Sequence, residues 1–474
     1  MRLRATRAAL PLGLLVLSMG LVSCVTMTRN AVFVKADAGA DARNYDQAAR
    51  ILDGPDSKTF YTDKDQVLRN LDAGMLFHFA GETEESLKRL EAADRLIELN
   101  FTKSLSNAAA SFVLNDYQLE YFGEAYEDLY VNVFKALDYL RTGQVDDAYV
   151  EIRRVDTKLN LLEDKYGRLA DSMNSSPTAK GTVKAGRSQF HNSALARYLS
   201  FLIYRAIGKP DDAELDLKKL REAFASQPTL YNFPLPPLSP AAEDGEKAKL
   251  TVMAFTGRSP LKRANNLRIN TLQNLIVIST QKEDSSGHLT FTNLAPLPFP
   301  GVEGGYNFKA ELPEMVLRPS KVARVSVLVD GNPAGDLALL EKLDSIALET
   351  FQLTQTPIFF KTIVRTVTKG ILTQKAKEQA NRSASQAGEL GMVLAFAGGI
   401  AADLAVDYSE QADLRNARYF PGQAYIGEFE VPPGEHEVTF EYYGAKGELL
   451  YREMKPKASS EPGALNFIDA YDLQ

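Results

Sequence analysis

The sequence predicts an α+β protein, in which an N-terminal all-α helical solenoid is followed by a mixed α/β C-terminal domain with antiparallel strands. Three observations point there. Apolar spacing of helical period runs up to residue 226, with one pattern recurring three times. A proline-rich stretch over residues 227–248 interrupts it. Beyond that stretch, short apolar runs bounded by turn residues alternate with helical spacing.

The chain opens with Arg2, Arg4 and Arg7, followed by an apolar run over residues 8–22. These are the charged and apolar regions of a secretory signal. Val22 and Ser23 lead into Cys24, the only cysteine in 474 residues. Leu21-Val22-Ser23-Cys24 resembles a bacterial lipobox, which implies a diacylglyceryl group on the Cys24 thiol and cleavage between Ser23 and Cys24. Residues 1–23 are then a lipoprotein signal peptide and residues 24–46 a lipidated tether. Each buried methylene of a lipid contributes roughly 0.8 kcal/mol, so several acyl chains together anchor firmly. Position two of the mature chain is Val25. An Asp there retains many lipoproteins in the inner membrane, so its absence favours the outer membrane, with the protein on the periplasmic face. The signal holds three of the 54 basic residues and none of the 61 acidic ones, which leaves a net charge of −10. That balance argues against nucleic acid as a partner. With Cys24 alone, no disulfide staples the fold, and stability must come from packing.

Residues 47–226 form the predicted helical domain. The recurring pattern is Gly74, Phe77, Gly81, Ser86, Leu90 and Ala93; then Ala136, Tyr139, Gly143, Ala148, Ile152 and Val155; then Phe201, Tyr204, Gly208, Ala213, Leu217 and Leu220. The offsets are the same in each copy and match the helix–turn–helix unit of tetratricopeptide (TPR) repeats. A large residue on the first helix meets small residues on the second, and the central glycine ends the first helix. The copies start 62 and 65 residues apart, nearly twice the usual period of about 34. Intervening helices, such as one over residues 107–121, then serve as degenerate repeats. TPR-like units stack and leave a concave face for protein partners. Residues 168–187 read as a polar loop, and 227–248 as a proline-rich linker.

Residues 249–474 form the mixed domain. Strands are expected at 250–255, 275–279, 288–292 and 322–329, and again at 424–430, 436–443 and 448–454, the last of these in β-hairpins. Leu340, Leu343, Ala347 and Phe351 have helical spacing, and a separate basic helix is expected over 357–378, with Pro357 in its first turn. An apolar Gly/Ala-rich segment follows at 390–406. Its 17 residues fall short of the about 20 that a spanning helix needs. Burial, a protein contact and a membrane contact are its three readings.

Four blocks carry a family resemblance: YEDLYVNVFKALDYLRTGQVDDAYVEIRR (126–154), RTVTKG (365–370), ADLRNARYFPGQ (412–423) and VPPGEHEV (431–438). Their content and order resemble the uncharacterised tetratricopeptide-containing lipoproteins of diderm cell envelopes. The resemblance implies an envelope lipoprotein without an assigned activity, with a link to lipoprotein activators of cell-wall synthesis. The chain departs from the family at Ala417, where members carry Trp.

Residues suited to catalysis are scattered. His78, His191, His288 and His436 fall in four separate elements, and none has a second His or Cys at metal-ligand spacing. His78 reads as structural and His436 as an exposed strand-start residue. Glu124, Glu127 and Asp128 read as a solvated helix face. No metal or cofactor is expected. Lys361, Arg365 and Lys369 lie at i, i+4 and i+8, on one helix face of an otherwise acidic chain. They could hold an anionic group or an acidic partner, or pair within the chain. Asp413 and Arg415 read as a structural pair. The function expected is a non-catalytic, lipid-anchored periplasmic scaffold that binds envelope proteins through its repeats. The alternative is a peptidoglycan-binding protein or glycan hydrolase, which requires a cleft lined by carboxylates or aromatics.

Overall fold

The computed structural model describes residues 33–106, 116–175, 183–238, 247–283, 289–293, 296–386 and 411–474. Cys24, Ser23, His288 and the 390–406 segment lie outside these residues. The fold is α+β, with helices in the N-terminal half and mainly antiparallel sheets in the C-terminal half.

The helices are α1 (residues 33–41), α2 (Tyr45–Asp53), α3 (Gln66–Ala80), α4 (Thr83–Ser106), α5 (Ala125–Arg141), α6 (Val145–Asn160), α7 (Leu162–Asn174), α8 (Ala194–Ala206) and α9 (Pro210–Ser226). The recurring pattern marks three helical hairpins, α3/α4, α5/α6 and α8/α9, which follow one another in space. All three close in the same way. Gly81, Gly143 and Gly208 take left-handed φ values of 78°, 73° and 70°. The next residue in each case donates its N–H to a carbonyl inside the first helix: Glu82 to Phe77 at 3.0 Å, Gln144 to Tyr139 at 2.9 Å and Lys209 to Tyr204 at 2.9 Å. This is the Schellman closure, which requires a residue tolerant of positive φ. Across each hairpin the small residue, Ser86, Ala148 or Ala213, is buried. At Gly74 a Cβ would lie 2.7 Å from Leu90 Cδ2, so only glycine lets α3 approach α4 this closely.

Several expectations change here. The tether does not extend to residue 46, because residues 33–41 are helical. Asp37 and Asp41 on α1 pair with Arg418 and Arg258, and Arg43 binds Asp472 at 2.7 Å. The described part of the 107–121 stretch is a short 3-10 turn at Asp116–Gln118 and then extended chain, not a repeat helix. The polar loop expected over 168–187 starts later, since α7 runs to Asn174.

The strands are β1 (Ala248–Thr256), β2 (Arg258–Leu272), β3 (Leu275–Glu283), β4 (Leu289–Asn293), β5 (Leu297–Pro298), β6 (Asn307–Arg318), β7 (Arg324–Val329), β8 (Asn332–Asp336) and β9 (Ala338–Lys342). Helix α10 (Leu343–Gln386) follows. Then come β10 (Gln423–Val431), β11 (Gly434–His436), β12 (Val438–Tyr443), β13 (Leu449–Met454), β14 (Ala458–Ser460) and β15 (Asn466–Asp472). The central sheet has the order β15-β1-β10-β9, with β15 parallel to β1. Side chains alternate across β1. Met253 and Phe255 join the cluster formed with the helices, while Leu250, Val252 and Ala254 join a second cluster with Val325, Val327, Phe440 and Tyr442 of the sheet β13-β12-β7-β8. The body is therefore three layers: hairpins, central sheet, outer sheet. A third sheet, β4-β3-β2-β6, carries α10 on one face.

This layering crosses the expected domain boundary. The helices share one buried cluster with the central sheet and α10, so the boundary at 227–248 separates two kinds of secondary structure and not two cores. It also sets the first helices of the hairpins against the central sheet. Phe134 of α5 meets Phe255 of β1 at 5.4 Å, and Arg205 of α8 binds Glu428 of β10 at 2.6 Å.

Helix α10 joins two elements that the sequence separates. Leu340 belongs to β9, and Pro357 lies inside a 44-residue helix instead of starting one. Proline supplies no N–H to the carbonyl four residues back. That carbonyl, Leu353 O, accepts the Gly186 N–H at 3.2 Å instead. A Cβ on Gly186 would sit 1.9 Å from Gln352 O, so the repair depends on glycine. Among the described residues, no helix is long and apolar enough to cross a membrane.

Candidate functional site

A cavity of about 100 Å³ lies beside α10. Its walls come from the C-terminal end of α4, the chain over 116–124, α7, β2, β6, α10 and residues 411–415. Helical spacing on α10 turns Thr354, Ile358, Lys361, Thr362 and Arg365 to this side. Exposed Lys103 and Glu120 stand at its rim. Two groups singled out in the sequence thus meet in one place, the basic helix face and the Asp413–Arg415 pair. Lys369 is on the same helix but does not line the cavity.

Each cation whose partner is defined here is held by an acid from another segment. Lys361 pairs with Asp116, and Lys262 of β2 pairs with Glu124. Burial works against the charge on Lys262, but Glu124 overrides it and holds the ammonium above its ordinary pKa. Arg415 makes a fork to Asp413, with Nε to Oδ1 at 2.9 Å and Nη2 to Oδ2 at 2.8 Å. It also reaches Asp65 at 3.2 Å and the carbonyls of Asp116 and Leu119 at 2.7 and 3.0 Å. Burial would raise the Asp413 carboxyl, but Arg415 holds it below the usual range. One guanidinium thereby fixes the 116–119 turn that presents Asp116 to Lys361.

The acids read as a solvated face are buried. Glu124, Glu127 and Asp128 begin a helix that is covered by α4, α6, α10 and β15. Glu127 accepts the Ala417 N–H at 2.6 Å, the Glu124 N–H at 2.9 Å and the Tyr121 hydroxyl at 2.7 Å. Burial, and next the Glu124 charge, push its pKa up to about 7. Asp128 differs, because Lys158 and Lys165 overcome its burial and hold it at about 2. Burial likewise raises Asp72 to about 6.

A pH dependence follows. Glu127 and Asp72 have folded pKa values above their unfolded ones, so the fold binds more protons than the unfolded chain. The stability they contribute is complete below their unfolded values and is lost as pH rises through about 6 and then about 7. Against the opposite change from His78, whose pKa is lowered, these two groups pull the urea midpoint down between about pH 5 and about pH 8, and Glu127→Gln should lose less stability than the wild type across the upper part of that window. An identical pH dependence in the variant and the wild type contradicts the assignment.

The histidines are placed as follows. His78 is fully buried, with Nδ1 2.7 Å from Asp138 and Nε2 2.6 Å from the Tyr471 hydroxyl. Burial, and next Arg141, lower its pKa. His436 is buried and not exposed as expected. Its ring nitrogens lie 2.7 Å from Asp330 Oδ2 and 2.7 Å from Pro432 O, and these contacts raise its pKa. His191 is exposed. Among the described residues, no group of three His, Cys, Asp or Glu is placed to hold a metal ion.

Lys262, Asp116, Glu311 and Thr362 are cavity residues that the sequence did not single out. No local pattern marks them, because each is brought in from a different segment. No family model, curated protein or solved structure matches this chain.

Proposed function

We propose that this chain is a lipid-anchored lipoprotein of a diderm cell envelope, held on the periplasmic face of the outer membrane, and that it binds rather than catalyses. One observation supports binding over catalysis. The buried side chains of catalytic type are tied down by the fold: His78 lies between Asp138 and Tyr471, and Glu341 and Glu127 each accept bonds from several donors. In this reading the TPR-like hairpins hold the chain's own sheet on their inner faces. Envelope proteins contact the outer helices, where Leu99, Val150 and Leu215 are exposed. The anchor is tested by Cys24→Ser, which should abolish palmitate labelling and leave uncleaved precursor at the inner membrane. If that variant fractionates with the outer membrane as the wild type does, the lipoprotein reading is wrong. Partner binding is tested with a photo-crosslinking residue at position 150 or 215, which should give an adduct of defined mass in cells; the absence of any adduct at both positions counts against an adaptor.

A second reading, a peptidoglycan-binding protein or glycan hydrolase, draws on the cavity, where Glu311, Asp413 and Glu124 stand near Tyr121 and Phe122. Incubation with purified peptidoglycan separates the two. Retention or turnover favours the glycan reading, and neither removes it.

A further inference from the structure

The charge arrangement of the cavity beside α10 selects a class of ligand. Its lining includes five cations, Lys103, Lys262, Lys361, Arg365 and Arg415, and five anions, Asp116, Glu120, Glu124, Glu311 and Asp413. Lys361, Lys262 and Arg415 already hold acids of the lining, so the polar groups with capacity left over decide what binds. Two polar edges have unused capacity. On α10, Lys361 gives one N–H to Asp116 and an ammonium carries three. Its neighbour Thr362 is 3% exposed, and its hydroxyl makes no hydrogen bond among the described residues. On β6, Glu311 accepts the Ala412 N–H at 3.2 Å and has no paired cation among the described residues. Leu169, Met173, Pro313 and Ile358 supply apolar wall of the same cavity. The volume of about 100 Å³ is below that of a cavity of roughly 150 Å³ that holds benzene, so the apolar body of the ligand must be small.

We propose that this cavity binds a free α-amino acid with a small apolar side chain. Its carboxylate is received by Lys361 and Thr362 and its ammonium by Glu311. Detergent-solubilised full chain is titrated calorimetrically with alanine, with either enantiomer as probe. Saturable binding at one site is expected. N-acetylalanine and alaninamide should each bind about tenfold more weakly, because each loses one charge-assisted contact. Glu311→Gln should weaken alanine about tenfold and leave N-acetylalanine unchanged, while Thr362→Val should weaken both alanine and alaninamide, whose carbonyl also accepts from the hydroxyl. Both variants are checked for wild-type circular dichroism, so that a loss of fold is not read as a loss of site. The proposal is overturned if folded wild type gives no saturable heat with either enantiomer. Equal binding of N-acetylalanine, or unaltered alanine affinity in both folded variants, overturns it as well.

Discussion

Replacing Glu341 with alanine should unfold the helical and sheet halves together and remove on the order of 5 kcal/mol of stability. Glu341 sits at the end of β9, fully buried. Its carboxylate accepts the Tyr130 hydroxyl at 2.6 Å, the Tyr231 hydroxyl at 2.7 Å, the Ser193 hydroxyl at 3.0 Å and the Leu195 N–H at 3.1 Å. Those donors come from α5, the chain after α9, and the start of α8. Removing the acceptor strands the Tyr130, Ser193 and Leu195 donors, while Tyr231 keeps the Asn192 carbonyl at 3.2 Å, and an orphaned buried donor costs about 1–3 kcal/mol. Such a loss is a large share of the roughly 5–15 kcal/mol that holds a typical protein together. Urea unfolding followed by far-ultraviolet and tyrosine signals should show coincident transitions at a lower midpoint. If the tyrosine signal moves while the helices melt as in the wild type, the two halves are not one cooperative unit.

Asp138→Ala should cost about 3–5 kcal/mol, the range for breaking a buried ionic network by removing one partner. The Asp138 carboxylate lies 2.7 Å from His78 Nδ1, accepts the Ser86 hydroxyl at 2.5 Å and lies 3.4 Å from Arg141. The network continues through the Tyr471 hydroxyl, which contacts His78 at 2.6 Å, receives Arg141 at 2.8 Å and donates to Asp469 at 2.5 Å. It links α3, α4 and α5 to the last strand. Tyr471→Phe keeps the ring stacked on Phe255 and removes only the hydroxyl, so it should cost less, about 1–3 kcal/mol. Equal losses in the two variants, measured by urea unfolding at neutral pH, would overturn this ranking and show that the Tyr471 hydroxyl matters as much as the Asp138 carboxylate. Burial, and next Arg141, put the folded pKa of His78 below the unfolded one. Its contribution is therefore present above the unfolded value near 6.5 and lost as pH falls through the folded one.

The hairpins were legible in the sequence because a Schellman closure leaves a local signature. Phe77, Tyr139 and Tyr204 stand four residues before Gly81, Gly143 and Gly208, and the closing bond runs from the residue just after each glycine, within one local stretch of chain. The first strand, β1, was legible for the same reason, as a continuous apolar run. Other features depend on distant residues. Strands β2 and β6 were missed because Arg258–Leu272 is rich in Arg, Lys and Asn, and its partners set its register. Pro357 reads as a helix start unless Gly186 is known to supply the missing N–H. Glu124, Glu127 and Asp128 read as a wet face because nothing in α5 reveals that it is covered all round. Of the cavity, the residues on α10 and at 413–415 stood out by charge. The acids that answer Lys361 and Lys262 come from the chain before α5, so the pairing itself could not be read.

The order of the central sheet has a consequence for how the molecule is made. Strand β15 ends at Asp472, and it lies parallel against β1, more than two hundred residues earlier. Tyr471 then closes the space between Phe79, His78 and Phe255. A chain synthesised from its N-terminus has finished all three hairpins well before that ring exists. Until β15 is made, His78 and Phe79 of α3 lack the Tyr471 ring that packs on them, and pairings of such separation form slowly. The three hairpins therefore exist without the strand that completes their sheet for as long as it takes to make the more than two hundred residues between Ser226 and β15.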